Sequence, residues 1–286
     1  MRNRNVVVLT GLPRGDTTLT CRLLNQLPDT LALHEPIPPG KFVGLEEEAV
    51  LDGVEQFFTR MRRMIRRRGV AFSKPIKGRI AGHGDNLTLD EEIRRRESRK
   101  VRRKKSEKKV AIDKDLGRDF LLGIKSPGMF SALLPLLKRR FPCYAIVRNP
   151  LAVLASWESY DRNTRAGRQP SAEKYDAGLR RALDSTEDRI ERQLCLLSWY
   201  FDRFARELPK AHVIRYEDLV GSGGKALSVV TPAAEALNEP LSNWNLNPAY
   251  DWGRMRSVGE RLLEREGAYL RFYSRESLEN LLEKSH

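Results

Sequence analysis

Long apolar runs, histidine and cysteine are all scarce in this chain. No stretch approaches the ~20 apolar residues that a membrane-crossing helix needs. The 286 residues hold 4 His and 3 Cys. Cys21, Cys143 and Cys195 have no metal-ligand spacing, and three cysteines in so long a chain argue against a disulfide framework. No His/Cys/Asp cluster points to a metal site, so none is expected. Reduced thiols, and an N-terminus MRNRN that runs straight into an apolar segment, fit a cytoplasmic protein without a secretory leader.

Acidic residues are short in one place only. The net charge is +14, from 52 Lys and Arg against 38 Asp and Glu. Residues 60 to 118 hold 22 of the basic and 8 of the acidic residues, which accounts for all of it, and the remaining 30 and 30 cancel. The basicity therefore belongs to one segment and not to the whole fold.

Along the chain, NVVVLT (5–10), TLALHEP (30–36), FLLGIKSP (120–127), CYAIVRNP (143–150) and AHVIRYEDL (211–219) read as five strands. Between them lie helical patterns: a helix ending near Leu27, one over 51–68, MFSALLPLLKRRF, LAVLASWESY, most of 171–208, one near 224–237, and 255–284. In 51–68 the apolar residues Leu51, Val54, Phe58, Met61 and Ile65 recur every three or four positions. Residues 73–118, with IRRRESRKVRRKKSEKKV, are too polar for core and are expected as a solvated helix or loop. Alternating strands and helices predict a three-layer α/β fold with a central parallel sheet of about five strands. It is expected as one domain over 1–286 with a basic helical insertion at about 50–118. Ligands of such sheets gather at the carboxyl ends of the strands. Gly11–Thr18, His34-Glu35, Lys125-Ser126, Arg148 and Arg215-Tyr216 each follow a strand and should meet on one rim.

The first of these groups, GLPRGDTT, has the layout of a phosphate-binding loop: strand, glycine turn, two hydroxyls, helix. It lacks the Gly-Lys that serves a γ-phosphate, holding Asp16 and Thr17 there instead. Arg14 can supply positive charge, which suits a phosphate at the 5′ end of a nucleotide. Asp16 puts a carboxylate where an anion should dock. Its side chain either points outward or pairs with Arg14 or Lys125. Arg148, at the end of a strand and before Pro150, suits bidentate phosphate recognition, with Ser156 two helical turns on.

In this order and spacing, GLPRGDTT, IKSPGMF, FPCYAIVRNPLAVLASW and VIRYEDLV resemble the P-loop-type sulfotransferases that use 3′-phosphoadenosine 5′-phosphosulfate (PAPS), in their bacterial and Golgi-like branch. The likeness covers roughly residues 5–36 and 120–220. It implies that Arg14, Gly15, Thr17 and Thr18, with Asp16 between them, hold the 5′-phosphosulfate. It also implies that Arg148 and Ser156 hold the 3′-phosphate, that Tyr216 lies near the adenine, and that Lys125 reaches the sulfuryl group or bridging oxygen. Arg254 and Arg256 would belong to a late basic loop closing on the 3′-phosphate. Glu35 is the expected general base, with His34 as the alternative. Strand alternation should let only one of these two face the site. The product would be adenosine 3′,5′-bisphosphate.

Two other classes stand beside this one. A P-loop kinase-like phosphotransferase is disfavoured by the missing lysine. A catalytically dead anion- or nucleic-acid-binding relative draws on the basic segment, but aromatic residues are not interleaved with its charges, so nucleic acid is the weaker partner. For the basic segment itself the open readings are a solvated insertion, a field that steers an anionic glycan or other acidic acceptor, and contact with an anionic membrane surface through helix 51–68. The membrane reading would suit a lipid-linked acceptor and peripheral membrane attachment. A small natural product remains a further acceptor class.

Overall fold

A computed structural model describes residues 5–74, 108–160 and 162–284. Strand β1 (Val6–Gly11) is buried along its whole length. Val6 and Val8 join one apolar core while Val7 and Leu9 join another, because successive strand side chains point to opposite faces. A strand buried on both sides belongs in the middle of a parallel sheet, and β1 is there. The five-stranded sheet has the order β2-β5-β1-β6-β7, with every pairing parallel. Here β2 is Thr30–His34, β5 is Leu121–Lys125, β6 is Cys143–Val147 and β7 is Val213–Arg215.

Helices cover both faces, giving the three-layer α/β arrangement expected. On one side lie α1 (Thr17–Gln26), whose Leu19, Leu23 and Leu24 are buried together with Leu27, and the segment that carries Tyr216, Leu219 and Leu227. On the other lie α2 (Glu47–Arg68) and the helices Pro150–Tyr160 and Arg189–Glu207. Val50, Leu51, Val54, Phe57, Phe58, Met61 and Ile65 of α2 are all buried. Gly53 is required where α2 crosses Phe42, since a Cβ there would lie 2.7 Å from Phe42 Cε1. The apolar face of α2 is thus consumed by the core. Its Phe residues and Met61 are buried there, while Met64 is half-buried and the exposed positions after Val50 are charged or polar, Gln56 and Thr59 among them.

The reading of 73–118 as wholly non-core is also corrected at its end. Strand β4 (Lys108–Ala111) pairs antiparallel with β3 (Val70–Ser73), and Val110 and Ile112 are buried. Most of the second basic run falls within 75–107, outside the described residues.

Three helix expectations change where proline or backbone geometry intervenes. MFSALLPLLKRRF forms two short helices, Pro127–Ala132 and Leu134–Leu137, broken at Leu133 ahead of Pro135. The region 224–237 forms 3₁₀ turns at Lys225–Val229 and Pro232–Ala236, separated by extended Thr231, the residue before proline. The C-terminal stretch 255–284 is not one helix but Trp252–Leu263, a 3₁₀ turn Ala268–Arg271 and Arg275–Glu283.

Candidate active site

All five strands point the same way, so their carboxyl ends form one rim. Along it the sheet order sets the sequence of groups: His34-Glu35, then Lys125-Ser126, then the loop after β1, then Arg148, then Arg215-Tyr216. The loop sits at the centre and the other groups flank it on both sides.

The loop is held by packing that leaves no room for side chains at two positions. Gly11 has φ 146°, and a Cβ there would lie 2.3 Å from the Ile146 carbonyl oxygen. A Cβ on Gly15 would lie 3.0 Å from the Leu12 oxygen, to which the Gly15 N–H donates at 2.9 Å. Arg14 and Asp16, on either side of Gly15, are left-handed with φ 68° and 60°. A non-glycine residue there costs about 1–3 kcal/mol unless its surroundings impose it. Here they do. The Trp157 indole N–H donates to the Pro13 carbonyl at 2.8 Å, and Arg148 Nη1 donates to the Arg14 carbonyl at 3.3 Å. Left-handed residues alternating in a loop turn backbone N–H groups toward a common concavity, a geometry suited to anions. The first N–H groups of α1, at Thr17, Thr18 and Leu19, have no intrahelical acceptor by position. Asp16 precedes them but makes no side-chain cap.

Asp16 instead pairs with Arg148, at 2.9 Å. Of the placements expected for it, none named this partner. The Arg148 side chain is 4% exposed, while Asp16 is 36% exposed. The guanidinium also donates from Nε to Asn245 Oδ1 at 2.8 Å and from Nη2 to the Trp244 carbonyl. Burial works against its charge, but the Tyr250 hydroxyl, Asp16, the Tyr216 hydroxyl and Glu217 outweigh this and raise its pKa. Ser156, fully buried, accepts from Arg14 Nε at 2.9 Å. Arg14 therefore reaches toward the Ser156 end of the rim. Arg14, Asp16, Arg148 and Ser156 form one connected cluster that ties the loop to the second motif.

Tyr216 sits beneath this cluster. Its ring lies 4.6 Å under the Arg148 guanidinium, and its hydroxyl donates to the Ser242 carbonyl and accepts from Trp244 N–H. That ring face is thus occupied by Arg148. Glu217, next in chain, accepts from Asn149 N–H at 2.9 Å, Asn245 Nδ2 at 2.7 Å and the Tyr273 hydroxyl at 2.7 Å. It orients both the residue after Arg148 and the side chain that holds it. Arg254 and Arg256 do not lie in a loop. Asp251 accepts from Arg254 N–H and caps the helix Trp252–Leu263, whose exposed face carries both arginines.

On the other side of the loop, Glu35 gathers three partners. Its carboxylate meets Lys125 Nζ at 3.2 Å, His34 Nε2 at 3.3 Å and Lys74 Nζ. Both His34 and Glu35 are therefore in the cluster, against the expectation from alternation. Glu35 has φ 44°, a left-handed turn that ends the extended geometry after His34. Burial alone would push the Glu35 carboxyl up. Lys125, the His34 hydrogen bond and Lys74 overcome it and hold its pKa well below the ordinary value. Burial and Lys125 push His34 down to about 4, with Glu35 opposing. His34 is thus neutral near neutral pH, and its Nδ1 is buried without a hydrogen-bond partner among the described residues. Lys125 is almost fully buried. Beneath the cluster, Cys21 has its thiol pushed up to about 12 by burial, so it is inert as a nucleophile.

Sequence reasoning missed Lys74, Trp157, Glu217, Trp244 and Asn245. The first follows β3, whose Ser73 hydroxyl accepts from His34 N–H, while Lys74 N–H donates to the His34 carbonyl at 2.7 Å. A lysine inside a basic stretch carried no local sign of this. Among the described residues no group of His, Cys, Asp and Glu could hold a metal ion, and no helix is long and apolar enough to cross a membrane.

No protein-family model and no curated protein sequence matches the chain. Among solved structures, the sulfotransferase domain of the olefin synthase of Synechococcus PCC 7002 aligns over 98% of this chain and 93% of that one, at 14% identity and a TM-score of 0.35. An overlay that loose carries no functional weight. What stands on the chain's own geometry is an α/β fold with an anion-suited loop at the centre of its rim, an arginine–aspartate cluster on one side and a lysine-rich carboxylate cluster on the other.

Proposed function

We propose that the chain is a sulfotransferase that moves a sulfuryl group from PAPS to a hydroxyl or amine of an acceptor. The observation that carries this reading is the order of groups along the rim. A loop built for a phosphate lies between a buried arginine that faces an anion and a lysine–carboxylate pair suited to proton and charge transfer.

The residues present fit such a cofactor in part without change. Gly15 and the N–H groups at Thr17 and Thr18 are disposed for the 5′-phosphosulfate, while the Arg14 side chain turns toward Ser156. On the 3′ side, Arg148 already has an anion, the Asp16 carboxylate, and a 3′-phosphate would take its place. Ser156 and Arg14 flank that position. The cofactor supplies the sulfuryl group and a bisphosphate leaving group.

This chain's own residues then have three tasks. Glu35, ionised at neutral pH, accepts the proton of the acceptor hydroxyl as the new S–O bond forms. Lys125, buried beside Glu35, would supply the positive charge that offsets negative charge building on the leaving group when the cofactor is bound. The loop and Arg148 hold the two ends so that attack is in line. Arginine and lysine supply the electrostatic stabilisation in this scheme. His34 is the alternative base, although its Nδ1 is buried and its pKa is pushed down to about 4.

Thermal stabilisation by adenosine 3′,5′-bisphosphate, with AMP and Mg-ATP as controls, tests the reading. A saturating ligand adds about 2–4 kcal/mol of stability. A shift with the bisphosphate alone is the expected result, while a shift with Mg-ATP alone would replace the reading by a kinase-like one. With an acceptor in hand, Glu35→Gln keeps bisphosphate binding and loses turnover, whereas normal turnover in that variant moves the base to His34.

A further inference from the structure

Strand β2 lies at the edge of the five-stranded sheet and pairs with β5 on its inner side alone. An edge strand presents outward N–H and C=O groups that need other partners. Here three residues find them. The Thr30 carbonyl accepts from Lys114 Nζ at 2.7 Å. Ala32 N–H donates to Asn25 Oδ1 at 2.6 Å, and the Ala32 carbonyl accepts from Asn25 Nδ2 at 3.1 Å. His34 N–H donates to Ser73 Oγ at 3.1 Å, and the His34 carbonyl accepts from Lys74 N–H at 2.7 Å. Ser73 ends β3, Lys74 follows it, and Lys114 comes three residues after β4. The β3–β4 hairpin, which is the stem of the basic segment, is thus fastened to β2 after each of its strands.

The two fastenings differ in what the lysine does. Lys114 donates to the main-chain carbonyls of Asn25, Leu27 and Thr30, so it serves the fold. Lys74 closes the edge with its backbone N–H and sends its side chain on to the Glu35 carboxylate. The two oxygens of that carboxylate are held unequally. Oε1 meets Lys125 Nζ at 3.2 Å and His34 Nε2 at 3.3 Å. Oε2 has one partner among the described residues, Lys74 Nζ. The Lys125 side chain is 3% exposed and that of Lys74 31%, so Oε1 is walled in while Oε2 lies toward the open side. Glu35 is itself left-handed, with φ 44°, and such a residue persists where its surroundings impose it. The Lys125 carbonyl does so from inside, accepting Glu35 N–H at 2.8 Å, and Ser73 and Lys74 hold the preceding residue from outside.

We infer that Ser73 and Lys74 are positioning residues of the proton-transfer site: Ser73 fixes the backbone of His34, Lys74 fixes Oε2 of Glu35, and Oε2 is the oxygen that takes the acceptor proton. A base works when its lone pair is held in line with the proton it receives. Without Lys74, Oε2 loses its fixed partner and the carboxylate is free to turn about the Oε1 side. The groups facing Glu35 are Lys125 of β5, His34 of β2, Lys74 after β3 and the protonated Cys21 thiol of α1. Lys74 is the one cation among them that the hairpin brings. Closing the edge strand needs only the Ser73 hydroxyl and the Lys74 N–H, so the lysine side chain goes beyond that structural task. The inference rests on the sulfotransferase reading for the acceptor and its proton, and the hold on Glu35 stands apart from it.

The test reads the Glu35 carboxyl by carbon-13 NMR of the full chain with labelled glutamate, its signal assigned by loss in Glu35→Gln and followed from pH 7 downward while the chain stays folded. Lys74→Met is expected to bring on its protonation at a pH higher by at least about half a unit. Lys74→Arg should restore the native curve, and Lys109→Met, which removes an exposed cation of the same hairpin, should leave it in place. Ser73→Ala is expected to speed hydrogen exchange at His34 N–H by at least about tenfold, with Ser73→Thr slowing it again. In a transfer assay Lys74→Met should lower kcat at least about tenfold with an unchanged KM for the donor. A native Glu35 curve in Lys74→Met would overturn the inference, as would an equal move in Lys109→Met or a native kcat. A lower melting temperature with the native curve and exchange rate would make the stem structural only, and would overturn it too. Stabilisation by adenosine 3′,5′-bisphosphate, measured on the same proteins, separates the two readings. A Lys74→Met protein that keeps the bisphosphate shift while its Glu35 curve moves supports the inference. Native protein that never binds the bisphosphate, but whose Glu35 answers to Lys74 and not to Lys109, supports the hold on Glu35 while removing the sulfotransferase reading.

Discussion

Replacing Asp16 by Asn is the most informative single change at the rim. Asn keeps the shape of the side chain and tolerates the left-handed backbone at this position, so only the charge is removed. In the unliganded protein, Arg148 then loses an ion pair at 2.9 Å. Stripping one partner from a fully buried pair costs about 3–5 kcal/mol. Asp16 is 36% exposed, and Arg148 keeps Asn245, the Arg14 carbonyl and the Trp244 carbonyl. The loss should therefore be about 1–2 kcal/mol, a fall in melting temperature of roughly 2–4 °C. Binding moves in the opposite direction. A phosphate that meets Arg148 must pass within about 5 Å of the carboxylate, and at an effective dielectric constant near 20 each unit of charge is repelled by about 3 kcal/mol before screening at the exposed edge. Removing the carboxylate should tighten adenosine 3′,5′-bisphosphate by about 1–3 kcal/mol, or roughly fivefold to 150-fold. Calorimetric titration of wild type and Asp16→Asn, with AMP in parallel, reads this directly. An unchanged bisphosphate affinity would refute the placement of the 3′-phosphate at Arg148. Equal gains for AMP and the bisphosphate would refute it too, because the repulsion would then act on the 5′ end.

The carboxylate cluster makes further predictions. Folded His34 declines a proton until about pH 4, whereas the unfolded side chain takes one near 6.5. The unfolded state thus binds more protons in that window, and stability should fall as pH drops through it. Glu35, held below its ordinary value of 4.5, adds a further loss at lower pH. Urea midpoints measured across this range should fall on acidification, and less steeply in His34→Gln. Lys74→Met removes one of the cations that depress Glu35, so the acid limb of the pH–rate profile should move to higher pH while bisphosphate binding is unchanged. Glu217→Gln leaves Asn149, Asn245 and Tyr273 without their shared carboxylate acceptor, and should lower stability by about 1–3 kcal/mol and loosen the bisphosphate, read by thermal melts with and without ligand.

The sequence alone determined the elements and their rim. VVVLTG opens with four consecutive apolar residues, carries one polar side chain and is β-branched at four positions, which is the mark of a strand buried on both faces. The apolar recurrence in 51–68 placed a helix whose buried face is the one its period predicts. Five strand-end motifs converge because every strand in the sheet is parallel, and alternation of strand and helix dictates that. Local periodicity could go no further, since it carries no information about partners far along the chain. Asp16 meets Arg148 across 132 residues, Lys74 meets Glu35 across 39, and Asn245 meets Arg148 across 97. Sheet order brings Asp16 to Arg148, the separate β3–β4 hairpin brings Lys74 to Glu35, and a loop far down the chain brings Asn245 to Arg148. The same holds for Glu35 and His34: alternation separates them on paper, and one left-handed residue held by the Lys125 carbonyl puts both in one cluster. Which anion Arg148 faces, and which cations Glu35 faces, are decided by the tertiary structure, because a charged side chain pairs with whatever the packed backbone sets beside it.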